Sequence, residues 1–478
     1  MKKLLSLVIA LLVVVFFSNC EQPKKSEPTT SAKAESKIDS VPAKEQSFVP
    51  NQLVINFEEL PNDMNAYLLS MKKLDIKVTT CPCSEKLILL EGPPNVDLHP
   101  DGEVATGAKS QGGNGTGVSP NYNFDATNFT KNPNLILDTF RQPKKPSASV
   151  IVSIIDSGVD FDNPITNPHL FRNPKNSIYC GNKNNRDGIY GLNMRKATHR
   201  ALPEETIEPS DQQGHGTFIN GIIAGKAKVA NVSRQAIDRF MGNNANIAIR
   251  QLNVSFTPLK ATEGTLFDAL CGIHYSLKKG AKVINASWGF VTKPDEIEQA
   301  LVFNTTFKEL ANPKNDVLLV VSAGNDRIKL GLDDQQRLAW PAAFSKAHNI
   351  SGQKLDFSNN IITVGAWNLS ANKIADFSNR GGMYVDLYAP GENILSIRIG
   401  REPNYAIAET SDKGTSFAAP FVTRTAAILR GLNPNADAAT IKKTIIESTE
   451  ADPFESQNYG TPIKLLRHRA AIAALPRQ

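Results

Sequence analysis

The run Val150-Ile-Val-Ser-Ile-Ile-Asp-Ser-Gly-Val159 is almost wholly apolar and β-branched up to an acid, Asp156, which is followed by a turning glycine, Gly158. An apolar run of this length without polar alternation fits a strand covered on both faces, as in parallel sheets. Four more runs of the same kind follow, at Ile247 to Val254, Lys282 to Ala286, Val317 to Ser322 and Ile361 to Ala366. Helical patterns occur between and after them, at Thr217 to Ala224, Thr265 to Lys279, Asp295 to Leu310 and Ser416 to Gly431. Strands alternating with helices predict an α/β domain with a mostly parallel sheet, whose sites are built at the carboxyl ends of strands. Asp156 sits at such an end, although a lone acid after a strand is ordinarily a turn former.

Upstream of this domain the character of the chain changes three times. Lys2 and Lys3 precede an apolar run, Leu4 to Phe17, which is too short to span a membrane and reads as an export signal. It closes on Cys20, and a Cys in that place resembles the lipobox of bacterial lipoproteins, although Phe17 and Asn19 depart from the usual pattern. The resemblance implies lipidation at Cys20 and an exported protein anchored to a membrane, in the periplasm or at the cell surface; a plain secretory signal with an incidental Cys is the alternative, and cleavage within Gly102 to Thr116 is expected to release the protein. Residues 21–50 have almost no large apolar side chains and read as a disordered tether. Residues 51–94 carry a strand, a helix over Asp63 to Leu74 and a second strand, which makes a small α/β unit. Residues 95–148, rich in Gly and Asn, read as a linker and lead-in, with Gly102 to Thr116 as its flexible part. The glycines at 112–117 superficially match a phosphate-cradling loop, but no clear strand precedes them and no helix follows. The α/β domain then runs from 149 to 478.

Composition sets broad limits. At 478 residues, 41% hydrophobic and 21% charged, the chain has the make-up of a folded globular protein. The net charge of +6 is spread without a basic block, which argues against a nucleic-acid partner. Cys81-Pro-Cys83 is too tight for a zinc knuckle, so Cys81, Cys83, Cys180 and Cys271 are left as thiols or as disulfides of unassigned pairing.

Two further segments carry chemistry. Gly214-His215-Gly216-Thr217 opens an apolar helix, and Gly414-Thr-Ser416-Phe-Ala-Ala-Pro420 opens a long one, with small residues around each polar side chain. Together with Asp156 they resemble the three motifs of the subtilisin-like serine protease family, in the chain order Asp, His, Ser that separates it from α/β-hydrolases and chymotrypsin-like enzymes. Val320-Val-Ser-Ala-Gly-Asn325, Asn285-Ala-Ser-Trp-Gly289 and the stretch Asp376 to Gly391 resemble further family segments. The resemblance covers about Val150 to Gly431. It implies a three-layer α/β domain and a serine endopeptidase acting on polypeptides through an acyl-enzyme, with Ser416 as nucleophile, His215 as base, Asp156 as its orienting acid and Asn325 as oxyanion donor. By the same resemblance Ser287, Trp288, Gly289, Ala323, Gly324 and Asp326 line the substrate groove, with Asp326 able to favour Lys or Arg before the scissile bond. No cofactor is needed for this chemistry. Calcium often stabilises the family, but its loop ligands are not recognisable here, so the metal stays unknown. The small unit at 51–94 is expected to act as a prodomain and intramolecular inhibitor, with a spacer as the alternative. An esterase or peptide ligase using the same site and a non-catalytic binding lipoprotein are the competing readings. The intervals between the three motifs are longer than in compact family members, so substrate choice is open.

Overall fold

The computed structural model describes residues 47–475 apart from 97, 126–134, 137–147, 175–176, 178–179, 181–186, 196–207, 243–246, 257–262, 332–335, 382, 401–406 and 409–410. The export signal, Cys20 and nearly all of the tether lie outside the described residues, as does much of the lead-in before Ala148.

The N-terminal unit is built from β1 (Phe48–Asn56), α1 (Met64–Lys73), β2 (Lys77–Cys81), β3 (Ser84–Glu91), α2 (Glu103–Gly112) and β4 (Gly117–Asp125). Its strands lie in the order β4-β1-β3-β2, all antiparallel, with Val54 opposite both Leu89 and Ser119. Alternation along these strands feeds two cores. Leu53, Ile55, Ile88 and Leu90 pack with Tyr67 and Met71 of α1 and with Ala105 and Ala108 of α2. Val54, Leu87 and Leu89 face the opposite way, into the core of the catalytic domain. The expected linker at Gly102 to Thr116 is therefore corrected: most of it is α2, and the unit runs on to Asp125 rather than ending at 94. The small residues that looked like linker composition are packing surface. A Cβ on Gly112 would stand 2.4 Å from the Phe57 ring, so the end of the helix closes on the residue after β1 with no room for a side chain.

The catalytic domain follows with β5 (Ala148–Asp156), β6 (Gly191–Asn193), α3 (His215–Ile223), β7 (Ile247–Ser255), β8 (Glu263–Thr265), α4 (Leu266–Lys278), β9 (Val283–Ala286), α5 (Asn304–Ala311), β10 (Leu318–Ser322), β11 (Ile361–Asn368), β12 (Leu387–Pro390), α6 (Thr415–Leu432), α7 (Ala438–Glu447), β13 (Glu450–Asp452) and β14 (Ile463–Leu465). The main sheet runs β13-β14-β12-β11-β10-β9-β5-β7-β6, parallel along this path except at the β13–β14 edge, and the short strand Lys373–Ile374 pairs antiparallel with β11 beside it. All five strand runs read from the sequence are in it. Both faces are covered, which is why the strands show no polar alternation. Val152, Ile154, Leu318 and Val320 pack on one side with Phe218 of α3 and Phe421 and Val422 of α6. Ile155, Ile284, Leu319 and Val321 pack on the other with Leu270 and Ile273 of α4 and Phe307 of α5. The result is a three-layer α/β/α domain. Asp295 to Leu310, read as one helix, is a 3-10 run, Pro294–Phe303, continued by α5.

The two parts share a continuous surface. Asn56 donates from Nδ2 to Val302 O (2.7 Å) and Thr306 Oγ1 (2.9 Å), and Thr305 Oγ1 donates to Phe57 O (2.8 Å). Tyr122 stacks on Phe290 with centroids 4.1 Å apart. Two disulfides, Cys81–Cys271 and Cys83–Cys180, cross the same boundary, which resolves the pairing that spacing left open.

Candidate active site

Asp156 ends β5, and His215 is the first residue of α3. Their approach depends on two glycines. A Cβ on Gly158 would lie 2.3 Å from Pro209 O, and one on Gly216 would lie 2.2 Å from Gly158 O, so neither position has room for a side chain. Strand end and helix start thus come close enough for His215 Nδ1 to meet Asp156 Oδ1 at 2.7 Å. Asp156 is buried, and Oδ1 also accepts from Ser157 N (2.8 Å).

Asp211, which the sequence reading passed over, holds this corner together. Its Oδ1 accepts from Ser157 Oγ (2.9 Å), Gln213 N (3.0 Å) and Gly214 N (2.8 Å), while its Oδ2 accepts from Thr217 N (2.9 Å) and Thr217 Oγ1 (2.7 Å). One buried carboxylate takes the amides of Gln213, Gly214 and Thr217 around the head of α3 and ties them to Ser157, whose Oγ in turn accepts from Gly216 N (2.8 Å). An acid four residues before a helix-opening His was the available signal. Burial works against a charged His215 ring, yet the facing carboxylates of Asp156, Asp211 and Asp412 hold its pKa above the ordinary imidazole value. Asp412 is itself paired with Arg398 (2.6 Å), and burial raises its pKa against that pairing.

Ser416 is the second residue of α6, and the ring of its neighbour Phe417 lies 5.2 Å from the His215 ring. Asn325 follows β10, the strand three places from β7 in the sheet. Its Oδ1 accepts from both Thr415 N and Thr415 Oγ1 (2.9 Å each), which fixes the amide so that Nδ2 is the outward group. The position a Cβ on Gly414 would take is 2.8 Å from Ser416 Oγ and 3.7 Å from Asn325 Nδ2, so the serine hydroxyl and the asparagine amide converge on one spot. Ser416 N lies in the first turn of α6, where amides have no intrahelical partner.

The expected groove residues fall on two strand ends. Ser287 follows β9 and donates from Oγ to Ser416 O (2.9 Å), accepting in turn from Asn285 Nδ2 (2.9 Å). Trp288 is buried beneath Phe124, and Gly289 lies against Trp340 O. Ala323 is buried, with its N donating to Val364 O (2.9 Å), and Gly324 N donates to Thr415 Oγ1 (3.2 Å). Asp326 is half-buried; its Oδ2 accepts from Asn379 Nδ2 (2.9 Å), so one carboxylate oxygen is engaged in holding the loop. Beside these strand ends, β8 pairs antiparallel with β4: Gly264 faces Phe124 and Glu263 faces Asp125. Phe124 sits in an aromatic box with Trp288 (5.1 Å) and Phe256 (5.9 Å). The end of the N-terminal unit therefore pairs with β8 and stacks on Trp288, one of the expected groove residues. Among the described residues no three His, Cys, Asp or Glu side chains are grouped to hold a metal ion.

The subtilase family profile matches residues 147–461. The chain belongs to the subtilase family. It is 29% identical over 282 residues to the major intracellular serine protease of Bacillus subtilis, covering 59% of this chain and 68% of that one. It is 30% identical over 259 residues to subtilisin-like protease 3 of Plasmodium falciparum, covering 50% of this chain and 29% of that one. This subtilase thus spans less than a third of one such relative. Among solved structures, fervidolysin from Fervidobacterium pennivorans superposes with a TM-score of 0.55 at 20% identity, over 91% of this chain and 62% of that one. The epidermin leader peptide processing serine protease of Staphylococcus aureus gives 0.53 at 15% identity, over 89% and 99%. Both superpositions take in the N-terminal unit as well as the α/β domain.

Proposed function

We propose that this subtilase is an exported serine endopeptidase that cuts polypeptides through an acyl-enzyme at Ser416. The observation that carries the reading is the convergence of Ser416 Oγ and Asn325 Nδ2 beside Gly414, next to a His215 already paired with Asp156 at 2.7 Å. Ser416 Oγ attacks the scissile carbonyl while His215 takes its proton and later passes it to the leaving amine. Asp156 holds the imidazole and stabilises its cation. The oxyanion is met by Asn325 Nδ2 and Ser416 N, donors already fixed before the reaction begins. No cofactor enters these steps.

Substrate lies extended between β8 and the Ser287–Gly289 segment, taking main-chain hydrogen bonds from the strand edge. The N-terminal unit uses the same edge, which supports its role as an intramolecular inhibitor over residues 48–125 rather than 51–94. Cys20 is the anchor point, consistent with export and with the disulfides that an oxidising compartment permits. The test compares purified protein with its Ser416→Ala variant on casein and on alkyl esters. Peptide-bond hydrolysis lost in the variant supports the reading; ester hydrolysis alone overturns it. Lipidation is read from the N-terminal mass of protein extracted from membranes.

A further inference from the structure

Both disulfides run from one short turn of the N-terminal unit to two separate elements of the catalytic domain. Cys81 ends β2 and bonds Cys271 in the middle of α4, with their Cα atoms 5.7 Å apart across 190 residues. Cys83, two residues on, bonds Cys180 in the insertion between Asp156 and His215, with Cα atoms 5.0 Å apart across 97 residues. Neither bridge lies within a part. Each joins the part that covers the substrate edge to the part that carries the catalytic residues. The backbone between Asp125 and Ala148 is the remaining covalent link, and it departs from the strand that pairs with β8.

We propose that the N-terminal unit is a thiol-releasable cap. Cutting the chain between Asp125 and Ala148 leaves two disulfide-linked chains that stay together, and the groove opens only when both bridges are reduced. The proposal rests on the reading of residues 48–125 as an inhibitor. Its physical basis is effective concentration: a tethered segment rebinds at a local concentration of the order of millimolar, so loss of the backbone link alone does not free the edge. The interface reinforces this with Asn56 on Val302 and Thr306, Tyr122 on Phe290 and Phe124 on Trp288. Release needs a dithiol reductant. One of its thiolates attacks a bridge sulfur, forming a mixed disulfide and freeing one Cys. Its second thiol then closes on the mixed disulfide and frees the attacked Cys, so each bridge consumes one dithiol and yields two Cys thiols and one oxidised dithiol. The order follows from access. Cys81 and Cys271 are 1% and 0% exposed, whereas Cys83 is 8% exposed and Cys180 is half-buried, so the Cys83–Cys180 bridge opens first.

The experiment separates the tether from the activity. A recognition sequence for a site-specific protease is placed between Asp125 and Ala148 in full-length Ser416→Ala protein, the chain is cut, and the pieces are run on size exclusion. Without thiol the two chains should co-elute, and with dithiothreitol they should separate. The Cys81→Ser/Cys271→Ser variant should still co-elute, while adding Cys83→Ser/Cys180→Ser should separate the chains without thiol. Separation of the oxidised protein, or co-elution after full reduction, overturns the proposal. The same cut in the Ser416 protein should raise hydrolysis of a fluorogenic peptide at least tenfold on adding dithiothreitol; equal hydrolysis with and without it overturns the cap. If the chains separate as expected but no hydrolysis occurs under any condition, the endopeptidase reading fails while the tether stands.

Discussion

The catalytic domain and the N-terminal unit meet along a continuous core, yet they are made in opposite ways. In the catalytic domain every chemical group sits where a strand ends or a helix begins: Asp156 at the end of β5, Asn325 after β10, His215 and Ser416 at the heads of α3 and α6. The N-terminal unit carries no such group, and its contribution lies in what its surfaces touch. Its β4 end pairs with β8, its Phe124 fills an aromatic box, and its two cysteines reach across to α4 and the insertion before His215. The proposed chemistry rests on a few residues, whereas the proposed inhibition is spread over an interface, so the two should respond differently to single substitutions.

The sharpest test of that contrast is Ser416→Ala, expected to lower kcat by about 10⁶-fold, a size borrowed from subtilisin, with His215→Ala adding little on top. If the second substitution cost as much as the first, the two residues would not act as a unit. Next is Asn325→Ala, which should lower kcat by about 10²- to 10³-fold with KM nearly unchanged, again on the scale known for subtilisin. A change in KM alone would move Asn325 to substrate binding. Asp211→Ala probes the corner between the two glycines: losing the acceptor for three amides and two hydroxyls should destabilise the fold by about 2 kcal/mol in a denaturant titration. It should also reduce kcat, since the head of α3 holds His215. The smallest effect is expected from Asp412→Asn. In the proposed mechanism His215 acts as base only when neutral, so kcat/KM should fall as pH drops through its raised pKa. Removing one of the carboxylates that stabilise the cation should move that acid limb to lower pH without changing the alkaline plateau. An unmoved limb would place control of His215 with Asp156 and Asp211 alone.

The parallel sheet was legible because its strands are buried on both faces, which leaves uninterrupted runs such as Val150 to Ile155. The candidate site was legible because small residues lie beside Asp156, His215 and Ser416, and Gly158, Gly216 and Gly414 mark those close approaches in the linear chain. What misled was the same feature in another setting. Around Gly112, small residues signalled a linker, but they are the packing face of α2 against Phe57. Composition does not distinguish a chain with nothing to bury from one that buries itself tightly against a neighbour.

By itself, then, the sequence determined the α/β class, the order and position of Asp156, His215 and Ser416, and the existence of a separate N-terminal unit, because each is set by local pattern within a dozen or so residues. Only the tertiary structure decided that Asp211 anchors the histidine helix, that Phe124 lies on Trp288, and that Cys81 and Cys83 are bonded to Cys271 and Cys180. Those pairings join residues far apart in the chain, and no spacing between them is marked in the line of residues. They follow from the way two cores close on one sheet.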